Sequence, residues 1–193
     1  MQILDTGERN IKVVVGGHFG SGKTTFIKTL SKGDFLSSEK RTFEEFEHHK
    51  KETTTVSMDF ATFKDGNIKF SIFGLPGQYR FRFMWEILAK NTDGFILLLD
   101  STDPTRWPEL FRQVYLFKRI NPNSVFLFAA NKQDLPGALK PHEIKEKLNF
   151  FRRDNYKIVP VIAHDYDSVV SVIRTLKEEI ERNNFLQNKV AVA

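Results

Sequence analysis

The sequence predicts an α/β fold: a mostly parallel six-stranded sheet with one antiparallel edge strand and helices on both faces. Three observations predict it. Short β-branched or aromatic runs alternate with segments of helical character along the chain. Strands separated by helices require right-handed crossovers, and so pair in parallel. Two runs, Phe95–Asp100 and Val125–Ala130, are near-continuously apolar, as expected of strands covered on both faces. Finally, Ser57–Lys64 and Ile68–Phe73 flank Asp65-Gly66-Asn67, a turn signal that makes one hairpin and hence one antiparallel edge strand.

The elements follow in order. Ile11–Val15 is an apolar run ending at Gly16-Gly17, which reads as a buried strand. A helix is expected from Lys23 to Ser31. Leu36–Thr55 has no clean period and many charges, so a long surface loop is expected there, of the kind that is functional or mobile. The hairpin comes next, then a helix over Phe81–Lys90, then strand Phe95–Asp100. Thr105–Ile120 has helical character, with Pro108 tolerable only in its first turn. Strand Val125–Ala130, helix Pro141–Leu148, strand Ile158–Ile162 and a closing helix Ser168–Asn184 complete the pattern. Ser168 is the expected N-cap of that last helix. A chain of 193 residues with no internal repeat or linker is expected to be one domain, 1–193. Most of its 19 phenylalanines are expected in the core, with a minority on an exposed binding face.

Composition removes several classes of chemistry. With no cysteine there are no disulfides, thiolate metal sites or cysteine nucleophile. Prenylation and palmitoylation fall away too, and Gln2 does not fit a myristoylation signal. No charged segment followed by an apolar stretch opens the chain, which argues against a signal peptide. The longest apolar run, Gly94–Leu99, is far too short to span a bilayer. A cytoplasmic protein without a direct lipid anchor is therefore expected. The net charge of +5 suits a phosphate-bearing ligand and equally a solvated basic surface. No nucleic-acid partner is expected.

The chemistry concentrates first in Gly17-His18-Phe19-Gly20-Ser21-Gly22-Lys23-Thr24, between a strand and a helix. It fits G-x-x-x-x-G-K-[ST] in the context the mechanism needs, which defines a P-loop NTPase. Glycines let the backbone curl so that N–H groups converge on one anion, and the next helix adds its positive end. Lys23 reaches the β- and γ-phosphates, and the Thr24 hydroxyl ligates Mg²⁺. Gly17, Gly20, Ser21, Gly22 and Thr25 complete the expected phosphate-binding set. Phe19 occupies a position that faces the γ-phosphate. Its ring either crowds an attacking water or an inserted activator residue, or folds outward onto the long loop or a partner.

Asn131-Lys132-Gln133-Asp134 follows strand Val125–Ala130. The ionised Asp134 carboxylate only accepts hydrogen bonds. Guanine offers it N1–H and an exocyclic amine, whereas adenine would leave it unpaired, a strong form of discrimination. An ATP-using kinase or ATPase is therefore disfavoured. The Lys132 stem can lie along the base plane. Asn131 can bond the base and brace the phosphate loop, and Gln133 reads as filler. The Ala163 N–H is placed to meet guanine O6, with His164 beside the base.

With these motifs in this order, the chain resembles the small Ras/Arf-type GTPases across nearly its whole length. The resemblance is closest to prokaryotic MglA-like (gliding-motility type) GTPases and related bacterial and archaeal GTP-binding proteins. It rests on Thr53-Thr54-Thr55-Val56-Ser57-Met58-Asp59-Phe60, on Phe73-Gly74-Leu75-Pro76-Gly77-Gln78 and on Phe83-Met84-Trp85. It implies that Thr55, with Thr53 and Thr54 as register alternatives, binds Mg²⁺ and the γ-phosphate. It implies that the Gly77 N–H senses the γ-phosphate and that Gln78 is the catalytic residue orienting the attacking water. The family's aspartate four residues before that glutamine is Gly74 here. Asp59, on the neighbouring hairpin strand, is the candidate replacement, reaching the metal's second shell. No arginine stands beside Thr55. Arg80 and Arg82 either reach the site on loop closure or remain solvated.

The implied function is a switch that binds GTP or GDP with Mg²⁺, hydrolyses GTP slowly, and presents two nucleotide-dependent loops to an effector or regulator protein. Tyr79, Phe81, Phe83, Met84 and Trp85 would give the second loop an aromatic partner surface. The competing expectation is a nucleotide-bound scaffold with little hydrolysis, which Phe19 and Gly74 favour and Gln78 and Thr55 disfavour.

Overall fold

The computed structural model describes residues 9–31, 36–38, 58–77, 81–148 and 156–191. Its strands are β1 (Arg9–Gly17), β2 (Leu36–Ser38), β3 (Met58–Asp65), β4 (Ile68–Gly74), β5 (Gly94–Asp100), β6 (Val125–Asn131) and β7 (Lys157–Pro160). Its helices are α1 (Lys23–Ser31), α2 (Arg82–Ala89), α3 (Pro108–Ile120), α4 (Pro141–Lys147) and α5 (Tyr166–Ala191). The strands form one sheet in the order β2-β3-β4-β1-β5-β6-β7.

The expected six strands are present. β4, β1, β5, β6 and β7 pair in parallel, and β3 runs antiparallel to β4. A surface loop was expected to begin at Leu36, but Leu36–Ser38 instead pairs antiparallel with Met58–Phe60. This short strand covers part of the outer edge of β3, whose backbone groups would otherwise be open to pairing. The rest of the expected loop lies outside the described residues.

β1 is flanked by β4 and β5. The chain fills one side of β1 first and then crosses to the other. Such a reversal opens a crevice at the carboxyl ends of the strands, where the Gly17–Thr24 loop emerges.

Period-two alternation along the strands divides the core into two layers. Val13 and Val15 pack with Phe26, Ile27, Val169 and Ile173 of α1 and α5. Val14 packs on the opposite face with Trp85, Leu110, Val114 and Phe117 of α2 and α3. Phe26, Phe70, Phe95, Phe117, Phe126 and Phe128 are buried, while Phe19, Phe83 and Phe185 are exposed. No described helix is long and apolar enough to cross a membrane.

Several boundaries differ from expectation. The single helix expected from Thr105 is a 3₁₀ turn, Pro104–Arg106, followed by α3, which begins at Pro108. Proline suits a helix start because its missing N–H is needed by no intrahelical bond there. β7 begins at Lys157 and ends at Pro160, an edge position where proline is tolerated. Ser168 is not the N-cap of the last helix. Asp165 Oδ1 accepts the Ser168 N–H at 2.7 Å, and Ser168 Oγ accepts from the Ile162 N–H at 2.9 Å. α5 also continues to Ala191, because no glycine or proline interrupts residues 166–191.

Candidate functional site

β1 delivers the chain into the glycine loop, and α1 starts at Lys23 on its far side. Gly22 has φ +100°, and a Cβ there would lie 2.2 Å from Asn131 Nδ2. Only glycine meets both demands, the left-handed backbone and the close approach. Lys23 is buried, and its Nζ donates to Gly17 O at 2.9 Å and His18 O at 2.7 Å. Burial pushes the Lys23 ammonium down to about 8, against the pull of Asp59 and then Glu109. Gly20, Thr24 and Thr25 are exposed along the rim of the loop and the first turn of α1, while Ser21 is buried.

His18 is buried. Its Nδ1 donates to Phe19 O at 2.8 Å, and burial holds the imidazole below its ordinary range. Among the described residues the buried side-chain atoms lacking a hydrogen-bond partner are His18 Nε2 and Ser21 Oγ. Both belong to this loop, and orphaned buried polar atoms are rare enough to require a reason. Phe19 is 62% exposed. The ring is therefore not packed into the protein interior.

Asp59 comes to this site from β3. Thr24 Oγ1 donates to Asp59 Oδ2 at 2.5 Å. Gly74 ends β4 beside it. A Cβ on Gly74 would lie 2.6 Å from Ile27 Cδ1 and 3.0 Å from Asp59 Cβ. Asp59 thus occupies the space that a side chain on residue 74 would need. Gly77 closes over the loop, and a Cβ there would lie 3.0 Å from Lys23 Nζ and 3.1 Å from Phe19 Cα. Thr53, Thr54, Thr55, Gln78, Tyr79 and Arg80 lie outside the described residues. Arg82 is exposed on α2, 3.8 Å from Glu86. The aromatic surface expected after Gln78 is only partly exposed: Phe83 faces solvent, but Met84 and Trp85 are buried. Trp85 Nε1 donates to Pro76 O at 3.0 Å.

At the other end of the crevice, Asn131 is buried and joins two loops. Its Nδ2 donates to Ser21 O at 2.8 Å, and its Oδ1 accepts the Ala163 N–H at 2.9 Å. The expected brace on the phosphate loop is there. The Ala163 N–H, the group expected to face guanine O6, donates to the Asn131 amide oxygen. Lys132 takes φ +68° and its Nζ pairs with Asp100 Oδ2. Burial opposes ionisation of Asp100, but bonds from Lys132 and Thr102 outweigh it and hold the carboxyl below its usual range. Asp134 and His164 are exposed.

Three participants were not anticipated. Gln133 is not filler. Its Nε2 donates to Ser101 Oγ and to Leu139 O, each at 2.9 Å, closing the loop beneath Asp134. Asp100 anchors Lys132, and a lone acid ending the apolar run Phe95–Leu99 was its signal. Gln113 bonds both polar groups of the Gly17 peptide. A glutamine inside the apolar stripe Leu110, Val114, Phe117 was the sign that it had a partner.

The site therefore offers a glycine loop at a helix N-terminus, a buried ammonium, paired hydroxyl and carboxylate oxygens, and an exposed carboxylate across the crevice. Together with the sheet order, this is the arrangement of a P-loop GTPase. A model of the ADP-ribosylation factor family matches residues 1–180. The chain is similar to the Arl6 (BBS3) small GTPase from Trypanosoma brucei, solved with the bound nucleotide analogue GppNp. Identity is 25%, 90% of this chain and 99% of that chain are covered, and the TM-score is 0.68. The chain belongs to the ADP-ribosylation factor (Arf) family, within the Arf/Arl-type GTP-binding switches.

Proposed function

We propose that this protein is a single-domain, cytoplasmic guanine-nucleotide switch of the prokaryotic, MglA-like kind, which hydrolyses GTP slowly to GDP and phosphate. One observation carries the guanine assignment. Asp134 is an exposed carboxylate, and Asn131, three residues before it, is hydrogen-bonded to the phosphate loop. A base read by Asp134 and phosphates held by Gly17, Gly20, Ser21, Gly22, Lys23, Thr24 and Thr25 then belong to one molecule. Lys132, Ala163 and His164 flank the base.

The residues present fit Mg²⁺. Thr24 gives its proton to Asp59, which leaves the lone pairs of its hydroxyl oxygen for a hard cation. Thr24 and Thr55 would hold the ion and Asp59 would stand behind it. Bound there, Mg²⁺ neutralises charge on the β- and γ-phosphate oxygens. Lys23 binds the same phosphates, the Gly77 N–H senses the γ-phosphate, and Gln78 orients the attacking water. Rates on the order of 10⁻⁴–10⁻² s⁻¹ are expected for such a site without an activator. Loss of the γ-phosphate releases Thr55 and Gly77 and changes the surface shown to an effector or regulator.

The absence of a carboxylate at Gly74 favours a second reading, a nucleotide-bound scaffold with little hydrolysis. Two measurements decide. Nucleotide released from the purified protein by denaturation is identified by chromatography, with GDP or GTP expected and an adenine nucleotide overturning the proposal. Single-turnover hydrolysis of radiolabelled GTP then separates the readings, since no phosphate release beyond the uncatalysed rate leaves only the scaffold.

A further inference from the structure

We propose that Gln113 is a positioning residue of the nucleotide site: its carboxamide holds the Gly17 peptide and, through the Gly17 carbonyl, the ammonium of Lys23. The proposal rests on the guanine-nucleotide reading above. Gln113 is 1% exposed, on the face of α3 that packs into the core. Its Oε1 accepts the Gly17 N–H at 2.9 Å, and its Nε2 donates to Gly17 O at 3.3 Å. The same oxygen accepts from Lys23 Nζ at 2.9 Å. One carbonyl with two lone pairs thus serves α3 on one side and the phosphate-binding cation on the other. A Cβ on Gly16 would lie 2.6 Å from Gln113 Oε1, so the glycine before the loop makes room for the amide.

The residue type follows from this geometry. A carboxamide donates and accepts at once. An ionised glutamate would still accept from the Gly17 N–H but would set a second oxygen against Gly17 O. Methionine, of similar length, would bond neither group and would leave a buried N–H unpaired, a costly defect. The loop is therefore held from behind, on the side away from the ligand, and its curvature does not depend on the phosphates alone.

The test is the release rate of a fluorescent GDP analogue from wild type, Gln113→Met, Gln113→Glu and the control Val114→Ala. Val114 is a buried neighbour on α3 in the same core layer. Gln113→Met is expected to speed release on the order of tenfold, the equivalent of about one buried hydrogen bond. Val114→Ala is expected to lower the thermal midpoint without that acceleration. Gln113→Glu keeps an acceptor for the Gly17 N–H but loses the donor to Gly17 O, so it too is expected to speed release. Release rates that merely follow thermal stability in both Gln113→Met and Val114→Ala would overturn the proposal. If the variants do not fold, hydrogen exchange in wild type decides. A protected Gly17 amide supports the clamp, and one exchanging like exposed loop amides overturns it. Failure of wild type to retain any guanine nucleotide overturns the underlying reading as well, and is seen before any variant is made.

Discussion

The role proposed for Asp59 near Mg²⁺ rests on its contact with Gly74 and its bond to Thr24. The Asp59 side chain lies against the Cα of Gly74, and its carboxylate already holds the Thr24 hydroxyl. An acid at position 74 would meet both Asp59 and Ile27. On the proposed reading, the acid beside Mg²⁺ would come from β3 instead of the end of β4. Asp59→Ala is expected to accelerate GDP release in Mg²⁺ and to make release nearly insensitive to a chelator. Release that matches wild type both with and without chelator would refute this role of Asp59. The double variant Asp59→Ala/Gly74→Asp, in which the crowding from Asp59 is relieved, should recover part of the Mg²⁺ dependence.

At the scale of elements, Asn131 couples the end of β6 to the phosphate loop and to the turn before α5. Asn131→Ala would leave Ser21 O and the Ala163 N–H without these bonds. Each buried orphan costs about 1–3 kcal/mol, so a loss of roughly 2 kcal/mol or more is expected in denaturant unfolding, with faster GDP release. A change below about 0.5 kcal/mol would show that the coupling is weak. The elements themselves were legible wherever a local signal was unopposed. β1, β5 and β6 are apolar runs at the centre of the sheet, and α1 has the boundaries its sequence suggests. Legibility fails where two residues compete for one role, as Asp165 and Ser168 do for the cap of α5. It fails again where a tertiary partner decides. β2 exists through its pairing with β3, and nothing in Leu36–Ser38 announces that pairing. Gln133 looked like a spacer because Ser101 and Leu139, its partners, are remote or unremarkable in sequence.

At the scale of the whole molecule, Lys23 links protonation to stability, and on the proposed reading to nucleotide binding as well. Its ammonium lies at about 8 in the folded chain, against an ordinary 10.5. Without nucleotide, the folded chain binds fewer protons than the unfolded one across that window, so this group's contribution to stability grows as pH rises from 8 toward 10.5. Phosphates favour the charged form, so binding near pH 8 should take up about half a proton. Affinity for GDP is then expected to fall as pH rises from about 7 to 9. Titration calorimetry at pH 8 in two buffers of different ionisation enthalpy measures the uptake, and identical heats would exclude it.

The two tryptophans give the molecule a built-in optical gauge. Trp85 is hydrogen-bonded to Pro76, next to the glycine that closes over Lys23, while Trp107 Nε1 donates to Asp100 O behind the partner of Lys132. One indole is tied to the end of the crevice proposed for the phosphates and the other to the end proposed for the base. Replacing either with phenylalanine leaves a single emitter whose colour and intensity report on one end alone. The order in which the two ends respond to an arriving nucleotide is thereby open to stopped-flow fluorescence without any attached dye.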